Sequence, residues 1–312
     1  MTFFKFLIYR IVGIFVTVVT IIAFLFLLLR SIPGDPARLL AGFDATPEVI
    51  EQIRMKYGLN KPLHEQLITY FLNVIRLDLG ISIRTDTPVV SEVLSRLPNT
   101  LTLSFASLAI AVTIGLPLGA IAAVKKDSFV DLIATALVTL GTAIPTFWLG
   151  LMLILFFSVY LRVLPAGGTG TPTHIVLPAV TLSLPVMAPI IKTSRYATLE
   201  ILSQDFVKLA KAKGLSNGVV LFKHVLRNTL IPVVTVVGLQ LGNLMRGAVI
   251  TETVFAWPGV GKLVVDAIFA RDYPMVQGAI FILALLYASI NFLVDLTYVV
   301  IDPRTRVGGG QS

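Results

Sequence analysis

The stretch of sequence that decides the fold is residues 205–232, which read DFVKLAKAKGLSNGVVLFKHVLRNTLIP. It holds four lysines, an arginine and a histidine, and it lies between two segments that are apolar enough to cross a bilayer. Because ionised side chains are costly at membrane depth, this stretch must lie in water, and its positive charge predicts the cytoplasmic side. The sequence therefore indicates a membrane protein with a basic segment on its inner face.

The composition of the whole chain supports this class. Of its 312 residues, 56% are hydrophobic and 13% are charged, against about 25% charged residues in a soluble domain. The net charge of +8 is explained by basic residues on cytoplasmic loops, so we expect the lipid bilayer and no nucleic acid as a partner. The chain has no cysteine, which excludes disulfides, thiolate metal sites and cysteine nucleophiles.

Six apolar segments predict an all-α polytopic membrane protein with six transmembrane helices. The predicted spans are residues 11–29, 100–124, 132–161, 174–191, 228–245 and 273–294. About 20 apolar residues are enough for a helix to cross a ~30 Å hydrocarbon core. The first span is longer than the apolar core of a signal peptide, so we expect it to be retained. Pro145 predicts a kink or break within the third span.

The segments between the spans predict the orientation. Residues 33–98 are polar with balanced charge, and Thr46-Pro47-Glu48 within them predicts the start of a helix. We expect this insertion to form a small extracytoplasmic subdomain, and residues 246–272 to form the last external, aqueous loop. Lysine and arginine are most abundant in the segments that then lie inside, so both termini are predicted to be cytoplasmic.

Residues 205–227 have more pattern than a solvated loop requires. Small residues end a first predicted helix, a serine can N-cap a second, and apolar residues recur along the second at i, i+3 and i+7. The small residues are Ala210, Ala212 and Gly214, and the capping serine is Ser216. The apolar residues are Val219, Phe222 and Leu226. A short helix with an exposed apolar face is typical of an element that inserts into a groove of a partner. The alternative is a positively charged loop without a partner.

Other motifs are weaker. Residues 256–263, AWPGVGKL, differ from a phosphate-binding loop at its first glycine and its Ser/Thr position, so they predict a tight turn that ends a span. Gly115/Gly119 and Gly238/Gly242 are small-xxx-small pairs that predict close helix packing. Three charged residues at span ends are candidates either for function or for interfacial snorkelling: Arg246, Glu252 and Asp295.

No pattern predicts catalysis or a metal site. A Ser/His/Asp arrangement does not stand out, and His174 has no second histidine at ligand spacing. A membrane enzyme is therefore disfavoured. An ion-coupled secondary transporter is the remaining rival, but it predicts mid-span carboxylates and an inverted repeat that the sequence does not clearly show.

Residues 207–214, VKLAKAKG, resemble the permease signature ("EAA") loop of ABC importers in the form used by peptide and nickel transporters. Lys208 stands where the general signature has glutamate. Further matching motifs are IPGDP (32–36), LGIS (79–82), RLPNT (96–100), LPAGG (164–168), ETVFAWPGVG (252–261), RDYP (271–274) and DPR (302–304). Together they resemble the first, B-type, permease subunit of dipeptide, oligopeptide and nickel importers over nearly the whole chain.

The resemblance implies a type I importer permease fold in a prokaryotic inner or plasma membrane. It implies a second homologous permease, two cytoplasmic ATP-binding subunits and an external substrate-binding lipoprotein or periplasmic protein. The chain itself would carry no cofactor and catalyse nothing, since ATP and magnesium would bind the partner subunits. Di- or oligopeptides are the implied substrates, with nickel or an oligosaccharide as alternatives.

The resemblance also assigns residues. The coupling segment, residues 205–227, would contact the ATP-binding subunits through Ala210, Ala212, Gly214, Leu215, Ser216, Val219, Phe222, Lys223, His224, Leu226 and Arg227. The external gate or binding-protein contact would be Glu252, Phe255, Trp257, Pro258 and Gly259.

Overall fold

The structure, a computed structural model, describes residues 3–30, 35, 37–38, 45–56 and 58–301. These residues form helices joined by turns, and within them a single β-bridge joins Ile81 to Pro88. Most of the IPGDP motif and the whole of the DPR motif lie outside the described residues.

The helices have the following bounds in chain order. They are α1 Phe3–Arg30, α2 Pro47–Lys56, α3 Leu63–Ile75, α4 Val89–Val124, α5 Phe129–Ala143, α6 Thr146–Leu153, α7 Val176–Leu202, α8 Asp205–Ala212, α9 Leu226–Val254, α10 Val260–Phe269 and α11 Tyr273–Ile301. A π-helical stretch, Ile154–Tyr160, continues α6, and a 3-10 turn, Pro172–Ile175, precedes α7. A helical turn, Asn217–Val219, and a second π-helical stretch, Val220–Val225, lead directly into α9.

Five of the described helices are long and apolar enough to cross a membrane, and the count becomes six if α5 and α6 form one broken span. These two helices meet at an angle of 110°. Ile144 and Pro145 are extended at the junction, because proline lacks a backbone N–H and disfavours helical geometry in the residue before it. The predicted break at Pro145 is confirmed.

Two predicted boundaries are wrong. The helix that carries the second span begins earlier than the predicted span, since α4 starts at Val89 rather than Thr100. The predicted aqueous loop at 246–272 is mostly helical, because α9 continues to Val254 and α10 occupies Val260–Phe269. The prediction ended the span before Arg246 because Arg246 is the first charged residue after it. The apolar residues of the helix continue beyond Arg246.

The described residues divide into two compact units: those within 3–98 and 263–288, and those within 99–262 and 289–301. In the second unit, α7 packs against both α5 and α9. Glycines permit close approach to α7, since a Cβ on Gly119 would lie 2.5 Å from the carbonyl oxygen of Ile191. The Ser194 hydroxyl then donates to the carbonyl oxygen of Leu116 at 2.8 Å. The close packing predicted for Gly115/Gly119 is confirmed, and that for Gly238/Gly242 stays a prediction.

A bidentate ion pair also joins α5 to α7. Arg195 donates from Nε and Nη2 to the two carboxylate oxygens of Asp131, at 2.7 and 2.8 Å. The Asp127 N–H donates to the same carboxylate at 3.1 Å. Because the Asp131 side chain is only 8% exposed, this geometry fixes the register of the two helices.

In the first unit, α1 packs against α3 through the rings of Phe26 and Tyr70, whose centroids lie 6.0 Å apart. Asp272 is buried and N-caps α11, because its carboxylate accepts the Met275 N–H at 3.2 Å. The same carboxylate accepts the Ser82 hydroxyl and, at 3.3 Å, the Arg84 N–H. Two motifs that are far apart in sequence, LGIS and RDYP, are therefore parts of one hydrogen-bonded cluster.

Candidate functional site

The basic segment folds as a helical hairpin. We call residues 205–227 the basic hairpin: α8, a turn, and the helix that begins at Asn217. Gly214 has φ +80° in the turn, a left-handed conformation that glycine adopts without steric cost. The Gly214 N–H donates to the Lys211 carbonyl at 3.0 Å and the Leu215 N–H to the Ala210 carbonyl at 3.3 Å, which caps the end of α8. The predicted N-cap is confirmed, since Ser216 Oγ accepts the Val219 N–H at 3.4 Å.

The hairpin packs around a small apolar core that it shares with the end of α7. The buried members are Ile201 of α7 and Val207, Ala210, Val220 and Val225 of the hairpin. Ala210 therefore packs inside the hairpin, and its small side chain serves that packing rather than an open surface. This cluster holds the two helices together but leaves the larger apolar side chains outside it.

Several large apolar side chains of the hairpin are exposed. Phe222 is 73% exposed and Val219 is 43% exposed, as the i, i+3 spacing predicted, while Leu226 is half-buried. Sequence reasoning missed Phe206 and Leu209 of α8, which are also exposed and stand at i, i+3 in the sequence.

The remaining predicted coupling residues are distributed as follows. Ala212, Gly214, Leu215, Ser216, Lys223 and Arg227 are exposed, and His224 is half-buried. Exposed apolar and basic side chains thus share the hairpin, and the contact of each with an ATP-binding subunit stays a prediction.

The hairpin is continuous with a long helix. The predicted coupling helix, residues 215–226, is not a separate element, because helical geometry runs without interruption from Asn217 to Val254. The second half of the hairpin and α9 are therefore parts of one continuous helical element.

The far end of α9 forms a second structured turn, residues 252–262, which we call the glutamate turn. α9 ends at Val254, Ala256 has φ +47°, and α10 starts at Val260. The Trp257 N–H donates to the Glu252 carbonyl at 2.8 Å. The predicted tight turn at the end of a span is confirmed.

Glu252 is fully buried and organises this turn. Its carboxylate accepts the Thr100 hydroxyl at 2.6 Å and the Lys262 N–H at 3.0 Å, and the Gly261 N–H also bonds to it. The Thr100 hydroxyl in turn accepts the Val260 N–H at 2.9 Å. The first three N–H groups of α10 thus find acceptors, and the negative charge lies at the positive end of the helix dipole.

Further hydrogen bonds hold the remaining residues of the glutamate turn. Trp257 Nε1 donates to the Asn99 carbonyl at 3.0 Å, and Asn99 Nδ2 donates to the Pro258 carbonyl at 2.9 Å. The Phe255 carbonyl accepts the Gly168 N–H at 2.8 Å. A Cβ on Gly259 would overlap the Glu252 carboxylate.

These contacts use most of the residues that were predicted for the external gate or binding-protein contact. Glu252, Phe255, Trp257 and Gly259 are buried, and Pro258 is half-buried. They have almost no surface to offer a binding protein in this conformation, because they are used to hold the turn. Their role in an external gate or in contact with a binding protein stays a prediction.

Arg246, Asp295 and His174 lie in α9, in α11 and in the 3-10 turn before α7. Arg246 is exposed on α9 and donates to Asn243, and Asp295 is half-buried in α11. His174 Nδ1 bonds to Thr171 at the start of the 3-10 turn before α7. Within the described ranges, no group of three or more His, Cys, Asp or Glu side chains is placed to hold a metal ion.

Comparison with known families gives two matches. The model described as binding-protein-dependent transport system inner membrane component matches residues 115–307. The model for the N-terminal part of such membrane components matches residues 3–104.

Individual proteins are similar over the whole chain. The glutathione transport system permease protein GsiC of Escherichia coli K12 is 40% identical over 302 residues, 97% of this chain and 99% of that protein. The probable D,D-dipeptide transport system permease protein DdpB of the same strain is 39% identical over 340 aligned residues, with 100% of both covered.

A solved structure of the MetNI methionine ABC transporter in an inward-facing conformation contains a similar chain. The TM-score is 0.57 at 20% identity, and the match covers 68% of this chain and 96% of that one. The likeness shows a shared fold over that part, which is the type I importer permease fold that the sequence predicted.

Proposed function

The chain belongs to the family of binding-protein-dependent transport system inner membrane components, and on that premise we propose that it is a permease subunit of an ATP-driven importer of short peptides. Of the relatives named above, GsiC is a glutathione transport permease and DdpB is a probable D,D-dipeptide transport permease. Glutathione and D,D-dipeptides are both small peptides, which supports a peptide over a nickel chelate or an oligosaccharide.

The single observation that carries the proposal is the exposed apolar face of the basic hairpin. Phe222 is 73% exposed in water-facing, lysine-rich surroundings. A phenylalanine exposed to water there contributes no hydrophobic stabilisation to the chain. Aromatic side chains of this kind are typical anchors of a protein–protein interface. A cytoplasmic ATP-binding subunit with a groove for a short helix fits this face.

The mechanism follows from the continuity of the hairpin with α9. ATP binding closes the two ATP-binding subunits and displaces the basic hairpin. Because helical geometry is unbroken from Asn217 to Val254, the displacement tilts α9 and moves the glutamate turn as one body. Hydrogen bonds tie the turn to Asn99 and Thr100 of α4, so it moves together with that part of α4 and acts as a rigid end of the gate rather than as a flexible loop.

The proposal includes partners and orientation. A second homologous permease completes the path, two ATP-binding subunits bind ATP and magnesium, and an external binding protein delivers the peptide. The chain spans the membrane several times with both termini cytoplasmic. It holds no cofactor and performs no hydrolysis.

The test is reconstitution of the complex purified through a tag on this chain. Proteoliposomes that contain the co-purified subunits should take up labelled trialanine only with ATP and the external binding protein. Phe222→Asp should lower uptake by about tenfold or more, since an interface anchor contributes about 2 kcal/mol. Insertion and the amount of this chain in the membrane should not change.

Phe129→Asp is the matched control, because Phe129 is 74% exposed at the start of α5. The same substitution there should leave uptake within about twofold, as expected for a surface site away from an interface. Uptake by the chain alone without ATP would establish a secondary transporter instead. An equal loss in both variants would remove the assigned role of Phe222.

A further inference from the structure

One face of α9 is exposed although the helix lies among the membrane-spanning candidates. Exposed residues recur along its second half at i, i+4, i+7, i+11 and i+14, which is the spacing of one helical face. They are Leu239, Asn243, Arg246, Ile250 and Thr253. Three of the five are polar, which is not the composition of a surface that meets lipid.

The polar members of this face belong to a chain of hydrogen bonds along the helix. Arg246 Nη2 donates to Asn243 Oδ1. Asn243 Nδ2 then donates to Gln240 Oε1 at 2.9 Å, and Gln240 is buried. The amide groups are thereby oriented, and the guanidinium is held in one direction.

That direction is back along α9, toward its N-terminal half. Arg246 lies 19 residues after Arg227, the last charged residue of the basic hairpin, which corresponds to about 29 Å along a helix. A snorkelling arginine near the outer limit of the ~30 Å core would reach outward to the head groups. Here the guanidinium bonds instead to Asn243, one helical turn back toward the basic hairpin, which under the proposed orientation is toward the middle of the span.

No carboxylate among the described side chains forms an ion pair with Arg246. A guanidinium that faced hydrocarbon in this position would carry a large desolvation cost. The face is therefore suited to a water-filled path, where a cation without a protein counter-charge attracts anions.

We propose that Arg246 is the anion site of the translocation path and binds the C-terminal carboxylate of the passing peptide. The inference rests on the proposed function. A guanidinium pairs with a carboxylate through two parallel N–H···O bonds, which a peptide amide cannot reproduce. Asn243 and Gln240 are positioning residues, because they hold the guanidinium in place.

The water-filled path is tested by cysteine accessibility, for which this chain is suited because it has no cysteine of its own. Asn243→Cys and Ile250→Cys in the membrane-embedded complex should react with a charged, membrane-impermeant maleimide. Val16→Cys, on the exposed face of the apolar α1, should not. Failure of both α9 positions to react would overturn the proposal.

The anion site is tested by comparing trialanine with trialanine C-terminal amide in proteoliposomes. Arg246→Gln should reduce uptake of the free acid by about tenfold or more relative to wild type, since a charge-assisted hydrogen bond contributes about 1.5–3 kcal/mol. Uptake of the amide should fall much less. Each substrate is normalised to wild type, so any preference of the binding protein cancels.

Two further variants complete the test. Arg246→Lys should restore part of the uptake of the free acid, and Arg162→Gln, at an exposed arginine outside the described helices, should behave as wild type. An equal loss for acid and amide in Arg246→Gln would indicate a structural role and overturn the proposal. A wild-type complex that transports neither peptide would instead overturn the proposed function, and this inference with it, whatever the labelling of α9.

Discussion

The basic hairpin and the glutamate turn are both short connections at the ends of one long helix, but they treat their side chains in opposite ways. The hairpin buries small aliphatic residues and leaves Phe222 73% exposed. The turn buries Glu252, Phe255 and Trp257 and supplies hydrogen-bond partners for its polar groups. The exposed apolar side chain of the hairpin is available to a partner protein. The buried side chains of the turn, with their hydrogen bonds made, stabilise the fold of this chain itself.

Glu252→Ala should give the largest effect and would break this comparison if it were harmless. The substitution removes the acceptor for Thr100 and for two N–H groups of α10. Buried donors without an acceptor cost about 1–3 kcal/mol each, so we expect a loss of about 3 kcal/mol or more. The apparent melting temperature of the purified complex measures it, and Glu252→Gln, which keeps an acceptor, should lose less.

Gly259→Ala should come next. Its Cβ would overlap the Glu252 carboxylate, and overpacking of this kind costs about 1–3 kcal/mol. Gly218→Ala in the basic hairpin is the control, since no atom lies within 4 Å of that Cβ position. Thermal denaturation should separate the two variants, and equal melting temperatures would contradict the contrast between the regions.

Gly214→Ala should have a smaller, local effect. The φ of +80° is unfavourable for alanine by about 1 kcal/mol, which loosens the turn of the hairpin without disturbing the spans. Proteolysis of the hairpin should accelerate while the melting temperature of the complex hardly changes. A strong fall in that temperature would show that the hairpin stabilises more than itself.

Lys262→Ala should have the smallest effect. The turn uses the backbone N–H of Lys262, which alanine retains, and the P-loop-like sequence is assigned no nucleotide. ATP hydrolysis by the reconstituted complex should remain close to wild type. Complete loss of ATP hydrolysis in this variant would indicate that the glutamate turn has a nucleotide-dependent role.

Features that depend on local chemistry could be predicted from the sequence. Pro145 broke its helix because of its own geometry, and Ser216 capped the helix that it precedes. Phe222 was recognised because its neighbours set the helical period. Each of these follows from residues within a few positions.

Features that depend on distant partners could not be predicted in the same way. Glu252 is predicted from the sequence as a functional or snorkelling charge at a span end, since no residue near it in the sequence indicates that Thr100 donates to it. The span was ended at Arg246 because a charge usually marks the limit of a span, but an arginine on an exposed helix face does not interrupt the helix. The burial of Ala210 could not be predicted either, because the residues that bury it, Val220 and Val225, lie across the turn.

The cluster around Asp272 has a consequence for biogenesis. Ser82 lies 190 residues before its acceptor, so a ribosome that adds about 5–20 residues per second completes the two partners roughly 10–40 s apart. During that interval the Ser82 hydroxyl and the Arg84 N–H lack the carboxylate that they bond in the finished protein. The segment around Ser82 is made early in synthesis, but its hydrogen bonds are completed only when the chain is almost whole.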